Sequence, residues 1–168
     1  VLYLYKIFYM SYNLLKGKKG IIFGALDENS IAWKTAERVF EEGGEFVLTN
    51  APIALRMGNG GQIAKKTNSK LIPADATKIE DLENLINLTM EIFDGKIDFV
   101  LHSIAFSDKN ELKGKYLDTS RDNFTQTMLI SCFSFTETVK EASKLMVNGG
   151  AMVTLSYDGS QRVVPNYN

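Results

Sequence analysis

Five short apolar runs, each separated from the next by a stretch with helical spacing, constrain this chain more than anything else in it. Gly20-Ile21-Ile22-Phe23, Glu45–Thr49, the segment at Leu71-Ile72, Ile97–Leu101 and Ala151–Leu155 each read as a strand. Between the first two, Ser30–Glu42 carries an apolar stripe at Ala32, Ala36, Val39 and Phe40, and Gly43-Gly44 ends it. Pro52–Lys66 predicts a less regular helix, because Met57-Gly58-Asn59-Gly60-Gly61 is rich in breakers. Glu80–Phe93 presents Leu82, Ile86, Met90 and Phe93 on one side. A polar loop over Ser103–Asp118 leads to the longest helix, with Phe124, Met128, Cys132, Phe135, Val139, Ala142 and Met146 spaced by three or four. That stripe reads as core or subunit interface. Strands alternating with such helices require right-handed crossovers, and so an α/β fold with a doubly wound parallel sheet.

A length of 168 residues fits one domain. Its 19 basic residues face 20 acidic ones, so no field exists to attract nucleic acid. One cysteine, Cys132, excludes an internal disulfide and fits a reducing compartment; with one histidine, His102, it leaves little for a metal site. Val1–Tyr9 is apolar and aromatic, interrupted by Lys6. It is shorter than the roughly 20 apolar residues a membrane span needs, and no small-residue cleavage site follows it. It reads as a non-native or disordered extension ahead of Met10, or else as a β-ribbon or interface arm.

Ligands of such sheets bind beyond the carboxyl ends of the strands, and Gly24, Asp75, Ser103 and Tyr157 all follow strands. The loop Gly24-Ala25-Leu26-Asp27-Glu28-Asn29-Ser30-Ile31-Ala32 lacks the G-x-G-x-x-G pattern. It still delivers the chain to a helix amino terminus, where free N–H groups favour phosphate. Ser30 supplies a hydroxyl there, or merely caps the helix. Asp75 reads equally as a solvated acid at the positive end of the next helix. His102 reads as a hydrogen-bonded structural residue. Tyr157 and Tyr167 are half-buried aromatics with polar tips, or proton donors. Asp158, next to Tyr157, is expected to raise its phenol pKa by like-charge repulsion.

The order and spacing of several short motifs carry more than any one of them. Gly24 is followed after five residues by Ser30-Ile31 and the small Ala32; then come Ala74-Asp75-Ala76, His102-Ser103-Ile104-Ala105-Phe106, Ile130-Ser131 with Phe133-Ser134-Phe135, Leu155-Ser156-Tyr157 and Pro165-Asn166-Tyr167-Asn168. From about Leu14 onward this series resembles the enoyl-acyl-carrier-protein reductases of the short-chain dehydrogenase type. The resemblance implies a Rossmann-type fold, with a pyrophosphate at Gly24, Ser30 and Ile31 and adenine beside Asp75 and Ala76. It implies that Ser103, Ile104, Ala105 and Ile130 line the rest of the cofactor, that Tyr167 is the catalytic donor, and that Tyr157 shares its pocket. The implied cofactor is NADH. Thr49-Asn50-Ala51 lacks an acidic residue for the ribose, and Arg56 leaves NADPH open. Ala105 stands where the family has glycine.

The implied reaction is reduction of an enoyl thioester on acyl carrier protein, by a cytoplasmic homo-tetramer acting without nucleic acid or membrane. The family's lysine beyond the last tyrosine motif is absent from the sequence. Residues 10–168 therefore read as an incomplete NAD(P)-binding domain, an amino-terminal fragment truncated after its fifth strand and inactive alone. Three alternatives stay open: a non-catalytic dinucleotide-binding module, another short-chain dehydrogenase acting on an alcohol or ketone, and an α/β interaction domain.

Overall fold

A computed structural model of the chain describes residues 11–165 and 167. The Val1–Tyr9 extension, Met10, and Asn166 and Asn168 of the terminal motif lie outside the described residues.

The strands are β1 (Lys19–Phe23), β2 (Glu45–Asn50), β3 (Lys70–Pro73), β4 (Phe99–His102) and β5 (Ala151–Thr154). They form one sheet in the order β3-β2-β1-β4-β5, and every pair is parallel. This is the doubly wound α/β sheet the apolar runs predict.

Alternation along the strands explains the two cores. Successive side chains point to opposite faces. Ile21, Phe23, Val47 and Val100 pack on one face with Leu82, Leu85 and Ile86 of α4 (Ile79–Phe93). Ile22, Phe46, Leu48 and Leu101 pack on the other with Ala32, Trp33 and Ala36 of α1 (Ile31–Glu41). The central Ile21, Ile22 and Phe23 are each 0% exposed, and side chains of this kind contribute about 1.5–3 kcal/mol apiece when fully buried. A second device closes the base of the sheet. Asp98 accepts from Lys18 Nζ at 2.7 Å and from the Lys19 N–H at 3.0 Å. The Lys18 ammonium, followed by the Lys19 N–H, outweighs burial and holds the Asp98 carboxyl below its ordinary pKa.

Four sequence expectations are corrected. Pro52–Lys66 forms two helices, α2 (Pro52–Met57) and α3 (Gly60–Lys66). The break falls at Gly58, where a Cβ would collide with the Leu26 carbonyl, and the Asn59 N–H donates to that same carbonyl at 2.8 Å. Phe40 and Met90, expected in buried stripes, are each 45% exposed; Trp33 and Leu85 take the inward positions. The expected fourth strand, Ile97–Leu101, is instead Phe99–His102: Asp98 still bonds through its backbone to Lys19 and Ala151, and Ile97 turns to the Leu145 carbonyl.

The fourth correction concerns the longest helix. It consists of α5 (Arg121–Met128), a π turn (Leu129–Phe133) and α6 (Ser134–Ala142). Its Phe124 and Met128 are exposed, with Leu129 and Phe133. Asn123, Ser134, Thr138 and Glu141 are buried instead. Of the two readings of the stripe, core is ruled out for its amino-terminal half. Among the described residues, no helix is long and apolar enough to cross a membrane.

Candidate active-site cleft

The sheet order makes β1 and β4 the switch point, since the chain leaves β1 towards β2 on one side and reaches β4 on the other. Gly24 and Ser103 end these two strands side by side. Gly24 has φ +89°, and a Cβ there would collide with the Ser103 carbonyl oxygen. Its N–H donates to Thr49 O at 3.0 Å. Glycine is therefore demanded by the close approach of two strand ends, before any ligand is considered.

From Gly24 the loop runs to the start of α1. The Ser30 hydroxyl donates to the Asp27 carbonyl at 2.7 Å and accepts from the Trp33 N–H at 3.3 Å. Its capping role thus occupies it on both sides, while the first-turn N–H groups that follow, at Ile31 and Ala32, are those a helix leaves without intrahelical partners. At the end of β3, Asp75 Oδ1 accepts from the Thr77 N–H at 3.0 Å and Thr77 Oγ1 at 2.7 Å. The Asp75 N–H donates to Asp81 at 2.8 Å. Ala76 is buried in the core beneath α4.

Beyond β4 the chain opens a cleft of ≈ 900 Å³, walled by Ala105, Phe106 and Ser107, by Thr127 and Ser131 of the long helix, and by Tyr157 and Tyr167. The two tyrosine rings meet edge to face, with centroids 6.0 Å apart at 74°. Burial first, then the neighbouring Tyr167 phenol, pushes the Tyr157 hydroxyl above its ordinary pKa. Asp158 is not the cause, contrary to expectation: its carboxylate lies 3.3 Å from Arg162 Nε. The Tyr157 phenol therefore keeps its proton near neutrality, and a phenol hydroxyl in this cleft can donate a hydrogen bond to an oxygen on which charge develops.

The structure thus brings Ala105, Tyr157 and Tyr167 together. Ser103 and Ile104 lie half-buried between this cleft and the end of β1. Gly24, Ser30, Ile31, Asp75 and Ala76 sit along the carboxyl ends of the other strands and do not line the cleft; nor does Ile130, which is half-buried in the π turn. Sequence reading gave Asn123 no role and named Ser131 only within a motif, yet these residues hold the cleft wall. The Asn123 amide oxygen accepts from the Asp108 N–H at 3.0 Å. Ser131 Oγ accepts from the Phe106 N–H at 3.0 Å and donates to the Phe106 carbonyl at 3.1 Å. The signal was present: Asn123, Thr127, Ser131, Ser134 and Thr138 recur every three or four residues, a polar stripe beside the apolar one.

Comparison with known proteins agrees with this geometry. A family model described as enoyl-(acyl carrier protein) reductase matches residues 24–168. The chain is 47% identical over 155 residues to enoyl-[acyl-carrier-protein] reductase [NADH] 2 of Rhizobium meliloti, covering 92% of this chain and 58% of that protein. It is 42% identical over 160 residues to the FabI reductase of Rickettsia bellii, covering 95% and 60%. A crystal structure of a FabI–NADH complex from Alistipes finegoldii aligns with a TM-score of 0.88 at 53% identity, covering 94% of this chain and 56% of that one. The chain therefore spans about 60% of the length of the curated relatives it matches.

Proposed function

The chain belongs to the enoyl-(acyl carrier protein) reductase family, and from that premise we propose that it forms the dinucleotide-binding part, and one wall of the active site, of an NADH-dependent enoyl-acyl-carrier-protein reductase. The observation that carries this reading is the meeting of Tyr157 and Tyr167 in one cleft at the carboxyl end of the sheet.

The residues present fit a dinucleotide. The close approach of Gly24 to Ser103 leaves no side chain over the β1 end, and the unpartnered first-turn N–H groups of α1 suit a pyrophosphate. Asp75 and Ala76 would flank adenine through their backbone, because the Asp75 carboxylate is already held by Thr77. Ser103, Ile104 and Ala105 would follow the nicotinamide half, with Ile130 behind them. NADH held there would supply a hydride to the β-carbon of a trans-2-enoyl thioester. Negative charge then develops on the thioester oxygen. In this reading Tyr167 donates its hydrogen bond to that oxygen, an interaction stronger in the transition state than in the ground state. Tyr157 packs edge-on against Tyr167 and positions it. The exposed apolar residues Phe124, Met128, Leu129 and Phe133 support assembly as a homo-oligomer, the tetramer that the family resemblance implies.

The test is single-turnover NADH oxidation with a trans-2-enoyl thioester, in the protein extended to the full length of its relatives. Tyr167→Phe is expected to lower the rate by roughly 10²–10³, the cost of one oxyanion donor, with NADH affinity unchanged. Tyr157→Phe is expected to cost less. A wild-type rate for Tyr167→Phe alongside a large loss for Tyr157→Phe reverses the two roles, and unchanged rates in both remove the mechanism.

A further inference from the structure

The π turn has a partner set of its own. In an unbroken α-helix the Ser134 N–H would bond the Ile130 carbonyl. Here it reaches back to the Leu129 carbonyl, which leaves the Ile130 carbonyl in need of a donor. The Ser134 hydroxyl supplies one at 2.6 Å. That commits the single Ser134 proton, so the contact of 2.8 Å between Ser134 Oγ and His102 Nε2 requires the imidazole to donate. His102 Nδ1 is then an acceptor, and Thr154 Oγ1 lies 3.3 Å from it. Both His102 and Ser134 are 0% exposed. One directed chain of hydrogen bonds therefore runs from β5 through β4 to the carbonyl that the π turn sets free.

One turn earlier in the same helix, Ser131 grips both backbone groups of Phe106. The extra residue of the π turn sets the helical phase between Ser131 and Ser134. Closing it to α geometry would turn the helix before the π turn by about 100° relative to α6, and Ser131, in the middle of the turn, by about half of that, away from Phe106. We propose that His102 and Ser134 are positioning residues: by holding the π turn they keep Ser131 on Phe106, and so fix the cleft wall that Ala105, Phe106 and Ser107 form opposite Tyr157 and Tyr167. Only the consequence for NADH affinity rests on the reductase reading; the coupling of Ser134 to Phe106 stands without it.

The test uses the 168-residue chain and amide hydrogen exchange. Phe106 lies at an exposed position, so protection of its amide reports the Ser131 bond directly. Ser134→Ala is expected to speed exchange at Phe106 at least fivefold, to the level of Ser131→Ala, with the β1 and β2 amides unchanged. The double variant should be no faster than either single one. Because the chain holds a single histidine, its imidazole ¹⁵N resonances read the tautomer without assignment, and protonation at Nε2 is expected in the wild type. In the protein extended to the length of its relatives, NADH affinity should fall about fivefold in each single variant, the loss expected for one hydrogen bond, and no further in the double. Retained Phe106 protection in Ser134→Ala, or a proton on Nδ1 in the wild type, overturns the proposal. Should Ser134→Ala fail to fold, the tautomer and the Ser131→Ala exchange decide it. If the protein extended to the full length of its relatives binds no NADH, while Phe106 still responds to Ser134 in the 168-residue chain, the reductase reading falls and the coupling stands.

Discussion

Gly24 carries two demands at once, and they can be separated. Its φ of +89° and the Ser103 carbonyl beside it make any side chain costly, with the dihedral alone worth about 1–3 kcal/mol. Gly24→Ala is therefore expected to lower the urea midpoint before it says anything about phosphate. An unchanged midpoint would mean that the strand ends are less tightly apposed than described. His102 makes a pH-dependent contribution of definite sign. Burial lowers its pKa below the ordinary 6.5. Between the two values the unfolded chain binds the extra proton and the folded chain does not, so stability is complete above 6.5 and falls as the pH drops through that window. Glu42 titrates in a lower window. Its burial would raise the carboxyl, but the N–H groups of Leu14 and Tyr12 and the Arg38 guanidinium together hold it below 4.5, so its contribution is lost only in stronger acid. Denaturant midpoints should thus decline in two stages, and His102→Asn should remove the upper stage alone. Persistence of the upper stage in that variant would assign it elsewhere.

Among the elements, β1, β2 and β4 were legible because burial on two faces leaves continuous apolar runs, and β5 because it carries the same kind of run although it is largely exposed. The parallel sheet follows from the alternation, whereas the order of its strands is seen only in the structure, because right-handed crossovers are compatible with more than one order. What was not legible came from competition between local signals. The breaker run after Met57 reads as a doubtful helix, yet its glycine serves the Leu26 carbonyl of a loop more than 30 residues earlier. Gly58→Ala is expected to cost about 1–3 kcal/mol through overpacking at that contact and, if the β1–α1 loop holds pyrophosphate, to weaken NADH binding measured by calorimetry. Lost stability with unchanged affinity would detach the loop from the cofactor. The long helix misled for another reason. Its apolar stripe has helical spacing, but an inward-facing polar stripe runs beside it, anchored by His102 and by the backbone of Phe106. Periodicity identifies a face, not what the face meets. The site residues divide likewise: the tyrosines were found by resemblance to a motif, while Asn123 and Ser131, which hold the cleft wall, belong to a polar stripe whose spacing is legible but whose partners, the backbone of Asp108 and Phe106, are not.

For the whole molecule, the exposed apolar face of Phe124, Met128, Leu129 and Phe133 predicts self-association. Phe133→Glu should lower the assembly state in sedimentation while leaving the far-ultraviolet spectrum unchanged; identical sedimentation would place the subunit contact elsewhere. The position of β1 at the centre of the sheet has a kinetic consequence. One flank of β1 meets β2 soon after both exist, but the other waits for β4, and its first tie, between Lys19 and Asp98, joins residues 79 apart in sequence. Loop-closure entropy makes such pairings slow. During synthesis at about 5–20 residues per second, the interval between completing β2 and completing β4 lasts roughly 3–10 seconds. Throughout it the nascent chain presents Ile21, Ile22 and Phe23 on an open strand edge, a window in which a holding chaperone would have something to hold.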